Sequence, residues 1–192
     1  MLPLEYLSRV EPIMISLFEA LQTADMRAEM ELRYLEPAYR HYSFEFECQS
    51  SLARYDGERL NHYNLRATEA REALLLIDTA SASVAGAILQ TSRQCVSMAW
   101  PKERLNKGRL VGSQTLSSVI WYTRNQALHF EDGIPNNPNT RKCIELLEVE
   151  MGLQSTGLDH TSRSLARDVI RILGWVDYSS YAKDMVRLLE KS

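Results

Sequence analysis

Between residues 66 and 99, apolar or small side chains recur at Ala70, Leu74, Ile77, Ser81, Val84, Ile88, Thr91, Cys95 and Met98. The steps alternate between three and four residues, which places all nine on one stripe of a helix roughly nine turns long. A helix of that length with a single apolar stripe must be covered by other helices, so this one segment points to an all-α bundle. Its middle, Thr79 to Ala87, is almost entirely Ala, Ser, Val and Gly. Small side chains there let a neighbouring helix come close. Trp100-Pro101 marks the end, because the residue before a proline is pushed out of the helical region.

The remaining sequence is helical in pattern and poor in strand signals. Residues 4–22 carry Leu4, Leu7, Ile13, Leu17 and Leu21 at helical spacing, with Pro12 expected to split or kink the segment. A second helix is expected over 25–36, closed by Pro37. Residues 44–64 are ambiguous, since Phe44-Glu45-Phe46-Glu47-Cys48 alternates like a strand and Asp56-Gly57 signals a turn. Ser113 or Thr115 can cap a helix reaching Phe130, which Asp132-Gly133 and the prolines beyond it stop. Further helices are expected near 140–151, 162–173 and 179–190, with Gly152 and Gly174 where helices commonly end. The expectation is an all-α bundle of five to seven helices around one long central helix.

Length and composition exclude several classes. A chain of 192 residues with 45% hydrophobic and 24% charged residues can bury a core without disulfides or metal. Its three cysteines are far apart and form no Cys-x-x-Cys pair, so neither a disulfide framework nor a zinc site is expected. No signal peptide is read at the start, and the longest purely aliphatic run is Leu74–Ile77, so a cytoplasmic protein without a membrane span is expected.

Charge is distributed unevenly. Residues 1–99 carry 9 bases and 14 acids, whereas Lys102, Arg104, Lys107, Arg109 and Arg124 stand against the single acid Glu103 within 100–124. Lys102, Arg104, Lys107 and Arg109 are therefore candidates for a local phosphate-attracting surface.

The candidate chemistry lies just beyond, in Trp121-Tyr122-Thr123-Arg124-Asn125-Gln126-Ala127-Leu128-His129-Phe130. On a helix, Leu116, Val119, Ile120, Thr123, Ala127 and Phe130 form one face that must enter the core. Trp121, Arg124, Asn125, Leu128 and His129 lie on roughly the opposite side. A solvated face does not usually carry Trp and Leu, and a core face does not carry Arg, Asn and His. The mixture suggests a second buried face, with Trp121 and Leu128 as candidate homodimer contacts. Arg124 and His129 diverge by about 140° around the helix axis, so one chain aims them poorly at a single atom. Two chains about a two-fold axis can bring both sets around one cleft.

RNA carries its own nucleophile, the 2′-hydroxyl. Cleavage needs a base for that proton, an acid for the leaving 5′-oxygen and a cation for the phosphorane. His129 can serve as base or acid. Arg124 offers a bidentate fork to phosphate, and Asn125 can orient the imidazole or the phosphate. No metal or cofactor is required.

The string Arg124-Asn125-Gln126-Ala127-Leu128-His129, late in a small helical chain, resembles the motif of the HEPN family (higher eukaryotes and prokaryotes nucleotide-binding). The resemblance implies a metal-independent endoribonuclease acting as a homodimer, with Arg and His of both subunits at the cleft, in a toxin or antiviral role. It implies a single domain over 1–192, residues 1–64 being a candidate family-specific extension. It also implies RNA as partner and an inhibitor protein of antitoxin type. Some such toxins are silenced at a Tyr two residues after the His, where this chain has Glu131. The competing reading is a non-catalytic helical module that uses the same face to bind a protein partner, a nucleotide or RNA.

Other constellations are weaker. His41 and His62 read as surface or interface residues. Asp159-His160 with Ser162 and Ser164 lacks a Gly-x-Ser-x-Gly elbow, and Gly108-Arg109-Leu110-Val111-Gly112 lacks the Gly-Lys-Ser/Thr ending of a P-loop.

Overall fold

A computed structural model describes residues 2–52, 57–100, 107–129, 137–153 and 163–190. Six helices appear among them: α1 (Pro3–Leu52), α2 (Gly57–Ala99), α3 (Leu116–His129), α4 (Pro138–Met151), α5 (Ala166–Ile172) and α6 (Tyr178–Leu189). A two-residue hairpin, β1 (Leu110–Val111) and β2 (Gln114–Thr115), precedes α3, with Leu110 opposite Thr115. The fold is all-α, and its two long helices α1 and α2 pack together.

The long helix expected over 66–99 is α2, which begins nine residues earlier, at Gly57. The N-terminal expectation is corrected. Pro12 and Pro37 neither split nor end the chain's first helix, and the strand-like Phe44–Cys48 is its continuation. An internal proline costs roughly 3 kcal/mol. Around Pro12, the burial of Leu7, Met14, Phe18 and Leu21 offsets that, at about 1.5–3 kcal/mol for each large side chain. Around Pro37, the flanking pairs Arg33–Glu29 and Arg40–Glu36 are exposed i,i+4 pairs worth only tenths of a kcal/mol. What persists across Pro37 is the three-four spacing of the half-buried Leu35, Ala38 and Tyr42.

The chain divides into two compact units. One comprises residues 1–22 and 81–192, and the other residues 23–80. In the smaller unit α1 and α2 form an antiparallel pair. Leu60, Ala67 and Ala70 are buried, against half-buried Ala24, Ala28, Glu31, Leu35, Ala38 and Tyr42 spaced by threes and fours on α1. This is the narrow seam of a coiled coil. His41 stacks on Tyr63 with ring centroids 5.5 Å apart, and the Arg71 guanidinium lies 5.5 Å from the Tyr39 ring centroid.

In the larger unit the core is formed by Met14 and Phe18 of α1, Ile88, Leu89 and Val96 of α2, Leu116, Val119 and Ile120 of α3, Leu147 of α4, Val169 of α5, and Tyr181 and Met185 of α6. Trp175 meets Tyr181 edge-on at 4.9 Å. The small-residue stretch of α2 does what its composition requires: Ser81 and Ala85 are buried, and a Cβ placed on Gly86 would lie 4.0 Å from the Ala127 Cβ of α3. Gly152, at φ 67°, closes α4 in the left-handed conformation that favours glycine.

The α2 helix is more apolar over its length than its longest aliphatic run, Leu74–Ile77, indicates. Leu60–Ala99 contains an 18-residue window of mean hydropathy 1.5 that is only 22% buried, so this helix is long and apolar enough by length and composition to cross a membrane. The uninterrupted run Leu74–Ile77 is short, but Ala, Val and Ile of the small-residue stretch carry the apolar composition on past Asp78. Leu75 and Leu76 are about 70% exposed.

Candidate functional site: a cationic groove between α2 and α3

The α3 helix is held from its core face. Leu116, Ser117, Val119, Ile120, Thr123 and Gln126 are buried, and the Thr123 hydroxyl donates back to the Val119 carbonyl at 2.7 Å. Gln126 is the residue that sequence reasoning missed. Its amide nitrogen donates to the Arg163 carbonyl at 2.9 Å, and its carbonyl oxygen accepts from the Leu165 N–H at 2.9 Å. Both ends of one buried carboxamide therefore tie α3 to the segment leading into α5. Helical spacing predicted Ala127 for the core, where it is half-buried. The expected Phe130 lies outside the described residues.

With the core face fixed, the opposite side of α3 turns toward α2. Arg124 is half-buried, and its Nε donates to the Gln90 side-chain oxygen. Burial lowers the pKa of this guanidinium, which nonetheless stays charged at neutral pH. Arg93 of α2 donates from Nη1 to the Asn125 Oδ1 at 2.9 Å. Its guanidinium carbon lies 3.9 Å from the centre of the Trp121 ring, a cation–π contact. Two guanidinium groups thus sit on one seam, one from each helix. Arg93 had no sequence signal, because it lies 31 positions before Arg124 on a helix read only for its apolar stripe.

The seam opens into a groove of about 630 Å³. Gln90, Arg93, Trp121 and Arg124 line it together with Gln94, Ser97, Met98 and Tyr6. The Tyr6 hydroxyl donates to the Gln94 side-chain oxygen at 2.6 Å. Among these lining residues there is no carboxylate.

The structure therefore brings Arg124 and Asn125 together, through Gln90 and Arg93 of α2. His129 is not brought to them within one protomer: it is exposed in the last turn of α3 and does not line the groove. Trp121 is half-buried beneath Arg93, and Leu128 is 50% exposed.

Of the basic residues before α3, Lys102 and Arg104 lie outside the described residues. Lys107 places its ammonium 4.5 Å from the centre of the Trp100 ring. Arg109 is engaged within the fold. Its Nε lies 3.0 and 2.9 Å from the two Asp184 oxygens, and its Nη2 donates to the Leu173 carbonyl at 2.6 Å. Asp184 also accepts from the Trp175 indole at 2.9 Å. This fork joins the segment just before the β-hairpin to Leu173 after α5 and to Asp184 of α6. Among the described residues no group of three His, Cys, Asp or Glu side chains could hold a metal ion. No family model, curated protein or solved structure matches this chain.

Proposed function

We propose that the chain is a metal-independent endoribonuclease that acts as a homodimer. Arg124 and Asn125 contact the scissile phosphate, and the partner protomer's His129 completes the site. The observation that carries this reading is the presence of two guanidinium groups, Arg124 and Arg93, in a groove whose described lining residues include no carboxylate. In a chain whose formal net charge is −3, such a local positive field favours a polyanion over a neutral ligand.

The 2′-hydroxyl attacks the adjacent phosphorus while its proton passes to an imidazole. The P–O5′ bond breaks, and the leaving oxygen takes a proton, giving a 2′,3′-cyclic phosphate. Arg124 neutralises charge on the non-bridging oxygens, its plane set by Gln90 through Nε. Asn125 accepts from Arg93 through Oδ1, which directs its NH₂ donors away from Arg93. His129 stands exposed in the last turn of α3, where a partner protomer's cleft can reach it.

The test is cleavage of single-stranded RNA with chelator present. Wild type is expected to leave a cyclic phosphate, or the 3′-phosphate it hydrolyses to, and to spare RNA methylated at the 2′-oxygen of the cut position. Cleavage of the methylated RNA, or strict dependence on magnesium, would sink the proposal.

A further inference from the structure

The groove between α2 and α3 belongs to one protomer and excludes His129, so what it binds is separable from the step that His129 performs. We propose that this groove is a subsite for single-stranded RNA flanking the cut. Arg93 holds a phosphodiester next to the scissile one, and the attached base lies against Tyr6 and Met98. That the anion is RNA rests on the enzymatic reading above; that an anion binds rests on the groove alone.

Four observations carry the subsite. Among the described residues, the charged side chains lining the groove are Arg93 and Arg124, both cationic. The Arg93 guanidinium is held in advance, over Trp121 at 3.9 Å and on Asn125 at 2.9 Å, so little side-chain entropy is lost when a phosphate arrives. At about 630 Å³ the groove falls within the range of small-molecule sites. Its remaining wall supplies what a nucleobase needs: an aromatic ring at Tyr6, a thioether at Met98 and the carboxamide of Gln94 for a base edge.

The probe is a fully 2′-O-methylated tetranucleotide, which lacks the attacking hydroxyl and stays uncut. Its affinity is measured by calorimetry at several salt concentrations. Wild type and His129→Ala are expected to bind it equally. Arg93→Met should weaken binding about tenfold and flatten the salt dependence by about one unit of slope, as expected for one lost phosphate contact. Gln94→Glu is isosteric, keeps the acceptor for Tyr6 and places a negative charge in the groove, so it should weaken binding about fivefold. If circular dichroism finds Arg93→Met unfolded, Gln94→Glu decides. Unchanged affinity in the folded variants, or no binding by wild type, overturns the subsite. So does a ribonucleoside 5′-monophosphate that binds as tightly as the tetranucleotide. If the tetranucleotide binds as described and no RNA is ever cut, the subsite stands and the enzymatic reading falls.

Discussion

The Arg93 guanidinium lies 3.9 Å from the centre of the Trp121 ring, joining the longest-patterned helix of the sequence to the helix that carries the Arg–Asn–His string. This contact changes what Trp121 means. The sequence offered Trp121 as a dimer contact because an indole does not usually sit on a solvated face. Arg93 of the same chain now lies over it, and Leu128 is the large apolar side chain of that face left half exposed.

Leu128 is therefore the better probe of assembly. Leu128→Glu is expected to give monomers by light scattering, because burying an unpaired carboxylate in an interface costs several kcal/mol. Trp121→Glu should disturb assembly less, since the new carboxylate meets Arg93. A variant carrying Leu128→Glu that remains dimeric would remove this face from the interface.

Gln126 should be a stability determinant. Gln126→Ala leaves the Arg163 carbonyl and the Leu165 N–H without their partner, at a cost of about 2–4 kcal/mol for two buried polar groups. Hydrogen exchange at the Leu165 amide should accelerate along with the loss of melting temperature. Protection at Leu165 equal to wild type would show that this link is not made in solution.

Arg109 is expected to act on folding rather than on RNA. The Asp184 side chain is only 12% exposed and would keep only the Trp175 indole of its described partners. Arg109 itself is 41% exposed, which reduces the cost of losing it from that of a fully buried pair to about 2 kcal/mol. For a chain of this length that lowers the melting temperature by about 5 °C. Unchanged melting with weakened RNA binding would return Arg109 to the phosphate surface.

The cysteines should separate by reactivity. Burial pushes the Cys95 and Cys143 thiols up to about 12, so at pH 8 almost none of either is thiolate. Cys48 is half exposed. A thiol reagent at pH 8 should label one group of the folded chain and three after denaturation. Rapid labelling of a second thiol in the folded chain would contradict the core described around Cys95 and Cys143.

What was legible in the sequence was whatever repeats along one helix. The helix α2 could be read because its stripe repeats every three or four positions, and the tight approach at Gly86 and Ala127 followed from side-chain size; of the stripe, Ala70, Ser81, Ile88 and Cys95 are buried, whereas Met98 is exposed and Ala85, Leu89, Val96 and Ala99 beside it are buried. The glycine that ends α4 could be read because a left-handed cap needs no partner. The continuity of α1 could not, because the local penalty of Pro12 and Pro37 is visible in sequence while the packing that offsets it is tertiary. Arg93, Gln126 and the Arg109–Asp184 pair were hidden for a related reason. Their partners lie 32, up to 39 and 75 positions away on other elements, and no spacing rule connects them. The Arg124-to-His129 string identified a candidate site without revealing that Arg124 and Asn125 are held by Gln90 and Arg93 of α2 while His129 lies outside the groove.

That separation allows a direct test of the composite site. Arg124→Ala and His129→Ala are purified apart, then mixed and allowed to exchange subunits, and RNA cleavage with chelator present is measured for each alone and for the mixture. Each variant alone should fall at least about 10²-fold, the scale of one general acid–base or phosphate-stabilising group. The mixture should recover a substantial share of wild-type cleavage, because a heterodimer pairs an intact Arg124 from one protomer with an intact His129 from the other. Wild-type cleavage by either single variant, or a mixture as inactive as its parts despite confirmed exchange, would contradict a site shared between two protomers.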